Sequence, residues 1–474
     1  MATTLLQLSG LINDSIASLV KVCEDSGYAV PDLHATPATE DTETFRSNPA
    51  AKEAANIIIA AALQLAATLS PPSTHVLNIA TAHFKSAALR TCIESNVTEA
   101  LREGGDDGLH VDDLAIKCKL DGTKLARLMR VLANDHVYRE VSPEVFANNK
   151  LSMILDTGKS VESLQAEPEN KHDGTRGFVA YLEHLSSDGH KASAYFHETL
   201  TDVTTSHSPE PNHAPFHRAM GIDIPTWKWY ELPEQSYRRR RFAVAMQGLG
   251  AVQPPDILLK VFDWNQLKPG SFVVDVGGGI GSSILPVCRA HPQLKFVVQD
   301  LPKVAELGKN FYTNLVPGSI ESGRVTFQGH DFFADQPVKK PSVFVLKHIV
   351  HNWSDPYAEK ILRQLRAAAG PETTLLLVDF IVSYVCDEPN SELSSIPGAS
   401  IVSAPKPLLP NYGPVSETMY VLDMVMLAFL NAQERTLGKL ASLLESTGWR
   451  IKRIHRGTPP GDFMQPVEAV PILN

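Results

Sequence analysis

The stretch SFVVDVGGGIG, residues 271–281, is a short apolar run that passes directly into a loop with four glycines. The apolar run predicts a buried strand, and the glycines let the backbone at its carboxyl end approach a ligand closely. A strand, a glycine loop and a helix in this order predict the first βα unit of an open α/β sheet, with a ligand at the carboxyl edge. The alternative interpretation is a tight turn that binds nothing.

Four more apolar runs follow at intervals that leave room for helices between them. They are KFVVQD (295–300), RVTFQ (324–328), VFVLK (343–347) and TLLLVDFIV (374–382). Near-continuous apolar strands that alternate with helices predict a parallel sheet covered on both faces. The segments WRIKRIHR and FMQPVEAVPIL at the end of the chain predict two further strands, the last of them antiparallel. The fold class is therefore α/β, with a Rossmann-like sheet of seven strands.

The chain upstream of this sheet has a helical character. Apolar helices are predicted at 51–69 and 79–101, and the segment 106–150 predicts a helix, a turn, a helix and a β-ribbon, which is a winged-helix pattern. The broad apolar faces of the first helices need a partner, either the chain's own core or another subunit. We predict a helical and winged-helix dimerisation domain at 1–205 and a catalytic domain at 206–474, which together give a homodimer.

Two polar segments are predicted as loops, and a third polar run is predicted to lie in solvent. The stretch 36–49 is rich in Thr, Glu and Asp, and the Pro/Ser-rich stretch 386–414 is long for a loop within a compact domain. The four arginines at 238–241 are predicted to form a solvated helix turn.

Composition limits the class of partner. The chain has 474 residues, 43% of them hydrophobic, and a formal net charge of −10, so it has no basic field that would attract nucleic acid or an anionic membrane. A DNA-binding function of the winged helix is the alternative, since Lys124, Arg127 and Arg130 lie on its second helix, but acidic residues flank them. We expect no nucleic acid and no membrane as partner.

Cysteine usage and the N-terminus favour a cytoplasmic protein. The five cysteines form no CxxC pair and no even framework, which is typical of a reducing compartment. The N-terminal sequence MATTLLQLSG lacks the basic segment of a signal peptide. The apolar run 54–69 is short for a membrane span and contains Asn56 and Gln64.

Acidic residues beside the glycine loop indicate which nucleotide it binds. Asp275 lies next to the glycines, where it would repel the pyrophosphate of a dinucleotide such as NAD. S-adenosylmethionine has no phosphate and carries an ammonium and a sulfonium group, which acids attract. Asp300, at the end of the next strand, suits the ribose hydroxyls of either ligand. The charges therefore favour S-adenosylmethionine over NAD.

Five motifs in a fixed order carry a family resemblance. DVGGGIG, QDLPKV, GHDFF, LKHIVHNWSD and NAQERT follow one another along the chain, and FHRAMG precedes them. This series resembles the small-molecule O-methyltransferases of the plant caffeate/flavonoid type, which use S-adenosylmethionine, over roughly residues 80–460. PLLPNYG (407–413) is similar to the fungal branch of that family.

The resemblance implies a set of cofactor-binding residues. Asp300 is expected to bind the ribose diol, Asp331 and Phe332 to flank the adenine, and Trp353 to form a further aromatic wall. Each of these residues taken alone also suits an ordinary core or surface position, and only their places at successive strand ends favour a site. The implied set is Asp275, Gly277, Gly279, Asp300, Leu301, Asp331, Phe332, Lys347 and Trp353.

The resemblance also implies a catalytic set for methyl transfer to the phenolic hydroxyl of a small aromatic compound. His351 is expected to be the general base, framed by Asp379 and Glu434. Two residues depart from the family pattern, because the family usually has Glu at the position of Asp379 and commonly Asp at the position of Asn352. The substrate pocket is expected to contain Phe242, Met246, Met426 and Asn352. An NAD-linked oxidoreductase and a winged-helix regulator that senses a nucleotide are the alternatives.

The two histidines of LKHIVHNWSD allow another interpretation. His348 and His351 are three residues apart and could share a metal ion, but the segment supplies no third ligand, so no metal is expected and His348 is predicted to be a packing residue. Asp355 and Pro356 predict the N-cap and the first residue of the next helix.

Overall fold

The computed structural model describes residues 3–33, 40–251, 256–388, 392–456 and 464–473. These residues form two compact units, Met1–His197 with Phe216–Val252 and Glu198–Pro215 with Gln253–Asn474. We call them the helical unit and the sheet unit. Of the stretches predicted as loops, residues 34–39 and 389–391 lie outside the described residues, and Glu40–Ser47 is a short 3₁₀ helix.

The first part of the chain is almost entirely helical. Three short strands, β1 (Leu109–His110), β2 (Arg139–Ser142) and β3 (Val145–Ala147), form an antiparallel sheet in the order β1-β3-β2. The helices are α1 (Thr3–Ser26), α2 (Pro49–Leu69), α3 (Pro72–Glu94), α4 (Val97–Gly104), α5 (Val111–Cys118), α6 (Gly122–Asn134), α7 (Val161–Ala166), α8 (Phe178–His184), α9 (His190–Ser193), α10 (Phe196–Thr201), α11 (Pro215–Met220), α12 (Thr226–Tyr230) and α13 (Ser236–Ala251).

The helix predicted at 79–101 is two helices, α3 and α4. Asn96 separates them with a φ of 60°, a left-handed conformation that asparagine tolerates better than most residues. The following helix, turn, helix and β-ribbon are present as α5, α6 and the β2–β3 hairpin. On α6, Arg130 pairs with Glu140 and Glu144, so its charge is already matched within the module.

Of the four arginines at 238–241, predicted to form a solvated helix turn, Arg239 and Arg240 are exposed as predicted, but the prediction is wrong for Arg241. Arg241 is buried and pairs with Glu183 at 3.0 Å and with Asp188 at 2.6 Å. His172 also contacts the Glu183 carboxylate, at 2.8 Å. Burial alone would raise the pKa of Glu183, but its hydrogen bond to His172 and the nearby cations lower that pKa to about 2. These buried pairs explain why α13 belongs to the helical unit.

The described part of the sheet unit contains seven strands, the number that the sequence predicted, and they lie in the order β6-β5-β4-β7-β8-β10-β9. The first five are parallel, and the hairpin of β9 and β10 adds antiparallel strands at one edge. The strands are β4 (Phe272–Val276), β5 (Lys295–Asp300), β6 (Val325–Gly329), β7 (Val343–Lys347), β8 (Thr374–Asp379), β9 (Trp449–Ile454) and β10 (Gln465–Pro471). The helices are α14 (Ile257–Lys260), α15 (Leu285–Ala290), α16 (Pro302–Leu315), α17 (Asp355–Ala368), α18 (Glu417–Leu430) and α19 (Leu437–Ser446).

The division into two units differs from the boundary predicted at 205/206. The segment 198–215 belongs to the sheet unit, where Ser354 Oγ donates to Pro209 O at 2.8 Å and Tyr357 bonds Glu210 at 2.7 Å. The chain then returns to the helical unit for Phe216–Val252. The chain thus passes to the sheet unit and back to the helical unit. Contacts between segments far apart in sequence determine this path, and local composition does not show them.

Two helical segments, Pro49–Leu69 and Gly413–Leu430, are long and apolar enough to cross a membrane by length and composition alone. Both have protein contacts in the structure. Helix α2 packs along α1, and on α18 the carboxylate of Asp423 accepts the backbone N–H of Glu434 at 2.8 Å. These are contacts of helices within a globular unit.

Helices α2 and α3 expose large apolar side chains that the described part of the helical unit leaves uncovered. They include Ile59, Leu63, Leu69, Val76, Leu77, Ile79 and Phe84. An exposed apolar surface of this kind indicates an interface, because burying it stabilises association.

We therefore expect the protein to be a dimer in light scattering at micromolar concentration, and the Leu63→Glu/Leu77→Glu double variant to be a monomer. Two carboxylates placed on this surface would have to be desolvated on association. Leu307→Glu is the matched control, since Leu307 is equally exposed on α16 of the sheet unit. A monomeric wild-type protein would contradict the prediction.

Candidate active site

The carboxyl ends of four parallel strands bring together the predicted site residues of the sheet unit. The chain leaves β4 toward β5 and β6 on one side and returns through β7 and β8 on the other, so the strand order reverses between β4 and β7. Such a switch point opens a crevice at the carboxyl edge. Asp275, Asp300, Lys347 and Asp379 lie at or next to the ends of β4, β5, β7 and β8.

Two successive glycines in the loop after β4 have no room for a side chain. Gly277 has a φ of +68°, and a Cβ there would lie 2.4 Å from the side chain of Ile349. A Cβ on Gly278 would lie 2.4 Å from the carboxylate of Asp275. Gly279 also has a positive φ, and its N–H donates to Asp300 Oδ2 at 2.8 Å. The loop is thus a glycine-lined cradle between two carboxylates and the loop after β7.

The charges around the cradle suit a cationic ligand. Asp275 is buried, and its Oδ2 has no hydrogen-bond partner among the described residues. Burial raises the pKa of Asp275 to about 7, against the opposing charge of Lys347. Lys347 itself reaches Ser283 Oγ at 3.3 Å, and burial lowers its pKa. A ligand ammonium would stabilise the Asp275 carboxylate, whereas a pyrophosphate would be repelled by it.

Asp300 is held in place by the backbone on both sides. Its Oδ1 accepts the N–H of Leu301 at 2.7 Å and its Oδ2 that of Gly279 at 2.8 Å. Each carboxylate oxygen keeps a second lone pair, so the fixed pair of acceptors suits a diol. The geometry therefore fits the ribose of S-adenosylmethionine.

Aromatic rings lie beside the loop after β6. Phe332 makes an edge-on contact with Trp353 at a centroid distance of 5.9 Å, and Trp353 stacks on Tyr357. Phe332 also comes within 3.7 Å of the Cβ position of Gly277, which places the ring at the cradle. Asp331 accepts the N–H of Phe333 at 2.9 Å, which orders the turn. These side chains can provide apolar walls for an adenine.

His351 lies in a short 3₁₀ turn after β7 and forms the strongest polar contact of the site. Its Nδ1 donates to Glu434 Oε1 at 2.6 Å, and both side chains are buried. Burial alone would lower the pKa of His351, but the charges of Glu434 and Asp379 outweigh it and raise that pKa above its ordinary value. For the carboxylate of Asp379, burial has the opposite effect and raises the pKa to about 6. The arrangement is a buried histidine whose protonated form two neighbouring carboxylates stabilise.

The role of Arg435 was not predicted from the sequence, although it belongs to the NAQERT motif. Its buried guanidinium donates to the backbone carbonyls of Val350 at 3.0 Å and Trp353 at 2.8 Å. It also bonds Asp355 Oδ1 at 2.7 Å. Arg435 thus fixes both ends of the turn that carries His351. The only signal in the sequence is its position directly after Glu434.

The predicted N-cap of α17 is wrong by one residue. Asp355 is the first helical residue, and Ser354 occupies the cap position without a side-chain bond to the helix backbone. The carboxylate of Asp355 accepts hydrogen bonds from Arg435 instead, a partner that lies 80 residues away in the chain.

The predicted substrate residues belong to both units. Asn352 and Met426 lie half-buried in the sheet unit, and the Asn352 side chain donates to the carbonyl of His348 at 2.7 Å. Phe242 and Met246 lie on α13 of the helical unit, where Phe242 stacks on Tyr230 with a centroid distance of 5.3 Å. Their role in a substrate pocket stays a prediction.

Comparison with known proteins identifies the family. The chain is 44% identical to a 4-O-methyltransferase of Phanerochaete chrysosporium over 99% of this chain and 100% of that protein. The chain belongs to the S-adenosylmethionine-dependent O-methyltransferases. The sequence patterns of the O-methyltransferase domain and of the O-methyltransferase dimerisation domain match residues 197–403 and 77–157.

Other relatives of this O-methyltransferase agree with the assignment. A 3-O-methyltransferase of Phanerochaete chrysosporium is 30% identical over 96% of both chains, and an O-methyltransferase of Armillaria gallica is 37% identical over 96% of both. The solved structure of a mitomycin 7-O-methyltransferase has the same fold, with a TM-score of 0.61 and 23% identity over 84% of this chain and 98% of that one. The chain is thus an O-methyltransferase of the fungal branch, and neither alternative function is supported.

The geometry of the cradle predicts the effect of one substitution in this O-methyltransferase. Asp300→Ala removes the fixed pair of acceptors, so we expect at least tenfold weaker binding of S-adenosylmethionine in calorimetry with an unchanged circular dichroism spectrum. Asp335→Ala is the control, since Asp335 is an exposed carboxylate of the same unit. Equal affinity of the Asp300 variant and the wild type would contradict the role of Asp300.

Proposed function

We propose that this O-methyltransferase methylates a phenolic hydroxyl at ring position 4 of its aromatic substrate, with His351 as general base. The observation that carries the proposal is the 2.6 Å bond between His351 and Glu434 at the carboxyl edge of the sheet. The position of methylation is suggested by the relative at 44% identity, which is a 4-O-methyltransferase.

The chemistry follows from the ordinary acidities of the two groups. A phenol has a pKa of ~10 and an imidazole one of ~6.5, so complete proton transfer before attack would cost about 5 kcal/mol. A raised pKa of His351 lowers that cost. His351 takes the phenolic proton while the phenolic oxygen forms its bond to the methyl carbon. Glu434 and Asp379 stabilise the imidazolium that results.

The bound cofactor supplies a methyl group as a sulfonium electrophile, and the residues of the chain position it. Asp300 would bind the ribose, Phe332 and Trp353 would contact the adenine, and Asp275 would attract the ammonium group. The glycine loop lets the cofactor approach the protein backbone closely, because no Cβ occupies the cradle. Gly277, Gly279, Leu301, Asp331 and Lys347 complete the proposed cofactor site.

Partners and location extend the proposal. We infer a homodimer through the apolar surfaces of α2 and α3, since a dimerisation-domain pattern matches 77–157. A phenolic small molecule is the only other partner proposed, and the place of action is the cytoplasm. All five cysteines are free thiols, which suits a reducing compartment.

Removal of the base has a defined expected cost. His351→Ala should lose about two to four orders of magnitude in kcat, the usual contribution of general base catalysis, with little change in cofactor affinity. Part of the loss should return above pH 9, where the phenol ionises without help. His348→Asn is the control and should lose stability rather than turnover. Near-full activity of the His351 variant at neutral pH would contradict the assignment.

The pH profile tests Glu434 separately. Activity requires neutral His351, so it falls as the pH drops through the pKa of this group, which lies above the ordinary value. Glu434→Gln removes the negative charge but leaves the burial that lowers the pKa. The acidic limb of kcat should therefore move to lower pH, and kcat should fall between those of the wild type and the His351 variant. An unmoved limb would contradict the charge role of Glu434.

The position of methylation is tested with matched pairs of phenols that carry one hydroxyl at position 3 or 4, together with labelled methyl donor. We expect kcat/KM to favour the 4-hydroxy member of each pair at least tenfold. A preference for the 3-hydroxy members would overturn the proposed position and leave the family assignment intact.

A further inference from the structure

Three ligand groups for a transition metal meet beside the proposed base. One nitrogen each of His348 and His351 and one oxygen of Asp379 lie within 4.8 Å of one another. The segment around the two histidines contains no third ligand, but Lys347 pairs in register with Val378, so the residues that follow β7 and β8 are neighbours. The sheet therefore supplies the ligand that the local sequence lacks.

The backbone of His348 is turned toward this cluster at an energetic cost. Its φ is +57°, a left-handed conformation that residues other than glycine seldom adopt. The His348 ring consequently lies 5.1 Å from the ring of His351, measured between centroids. Asn352 stabilises the turn by donating to the His348 carbonyl. Strain that persists next to a reactive group indicates a functional geometry.

The donors match the preferences of zinc. Two imidazoles and one carboxylate with an open fourth position form a common zinc ligand set. Zinc ligands at about 2.0–2.2 Å from the metal lie roughly 3.3–3.6 Å apart, so the three groups would have to approach one another by up to about 1.5 Å. Asp379 Oδ1 is buried without a hydrogen-bond partner among the described residues, and a cation would satisfy it. Glu434 bonds one nitrogen of His351, as carboxylates do with metal-bound histidines, and the other nitrogen remains for a metal.

We propose that His348, His351 and Asp379 bind a zinc-class divalent cation and that this binding inhibits methyl transfer. The inhibition rests on the proposed function, because a metal on His351 occupies the nitrogen that must accept the phenolic proton. The binding itself does not rest on it. We do not expect Mg²⁺ to bind at this site, since it prefers oxygen donors in an octahedral arrangement.

Calorimetric titration with zinc chloride, in the absence of both substrates, tests the binding. The wild type should bind one equivalent at a site that His348→Asn weakens at least tenfold, because asparagine tolerates the left-handed backbone but removes the imidazole. His75→Asn is the matched control, since His75 is exposed on α3, and it should bind as the wild type does. Unchanged zinc affinity of the His348 variant would overturn the site. If that variant unfolds, the same titration of Asp379→Asn applies the test.

Turnover assays with zinc chloride test the inhibition. Micromolar zinc should inhibit the wild type and His75→Asn but not His348→Asn, which keeps its basal turnover, and magnesium chloride should have no effect on any of them. Zinc binding at the site without loss of wild-type turnover would overturn the inhibitory role. The assignment of His351 as the base is tested independently: it would be contradicted if His351→Ala kept its activity in metal-free buffer.

Discussion

The active site depends on two neighbouring residues, Glu434 and Arg435, that lie outside the loop they organise. Glu434 orients the imidazole of His351, and Arg435 holds the carbonyls on either side of it. A buried carboxylate or imidazolium without a partner is strongly destabilising, so His351 and Glu434 each make the burial of the other tolerable. Asp423 fixes the backbone N–H of Glu434, and so extends the same constraint to α18.

The fold could be predicted from the sequence wherever the signal is local. Each parallel strand is an apolar run, and the glycine loop follows the first of them, so the sheet and the edge that carries the site follow from length and spacing alone. The errors concern residues whose state depends on a distant partner. Asp355 resembles an N-cap until Arg435 binds it, and the arginines at 238–241 resemble a solvated turn until Glu183 and Asp188 pair with Arg241.

Electrostatics at the strand ends explain the choice of cofactor by this family in physical terms. Two carboxylates, Asp275 and Asp300, lie at the glycine loop with Lys347 nearby, and Asp275 Oδ2 has no hydrogen-bond partner in the part of the chain that the structure describes. The pyrophosphate of a dinucleotide would add two negative charges to the two carboxylates of this cradle. The sulfonium and ammonium groups of S-adenosylmethionine bring positive charges that balance them. The same βα unit can thus bind either class of nucleotide, and the acid next to the glycines decides between them.

The two departures from the family pattern are related through the turn after β7. Asn352 cannot supply the charge of the usual aspartate, but its amide donates to the carbonyl of His348 and supports the left-handed residue there. The negative charges that raise the pKa of His351 are those of Glu434 and Asp379. Asp379 is half-buried; desolvation raises its pKa to about 6, and the charge of a protonated His351 favours its ionised form. Proton uptake by His351 is therefore coupled to the ionisation of Asp379, whose carboxylate lies next to both histidines.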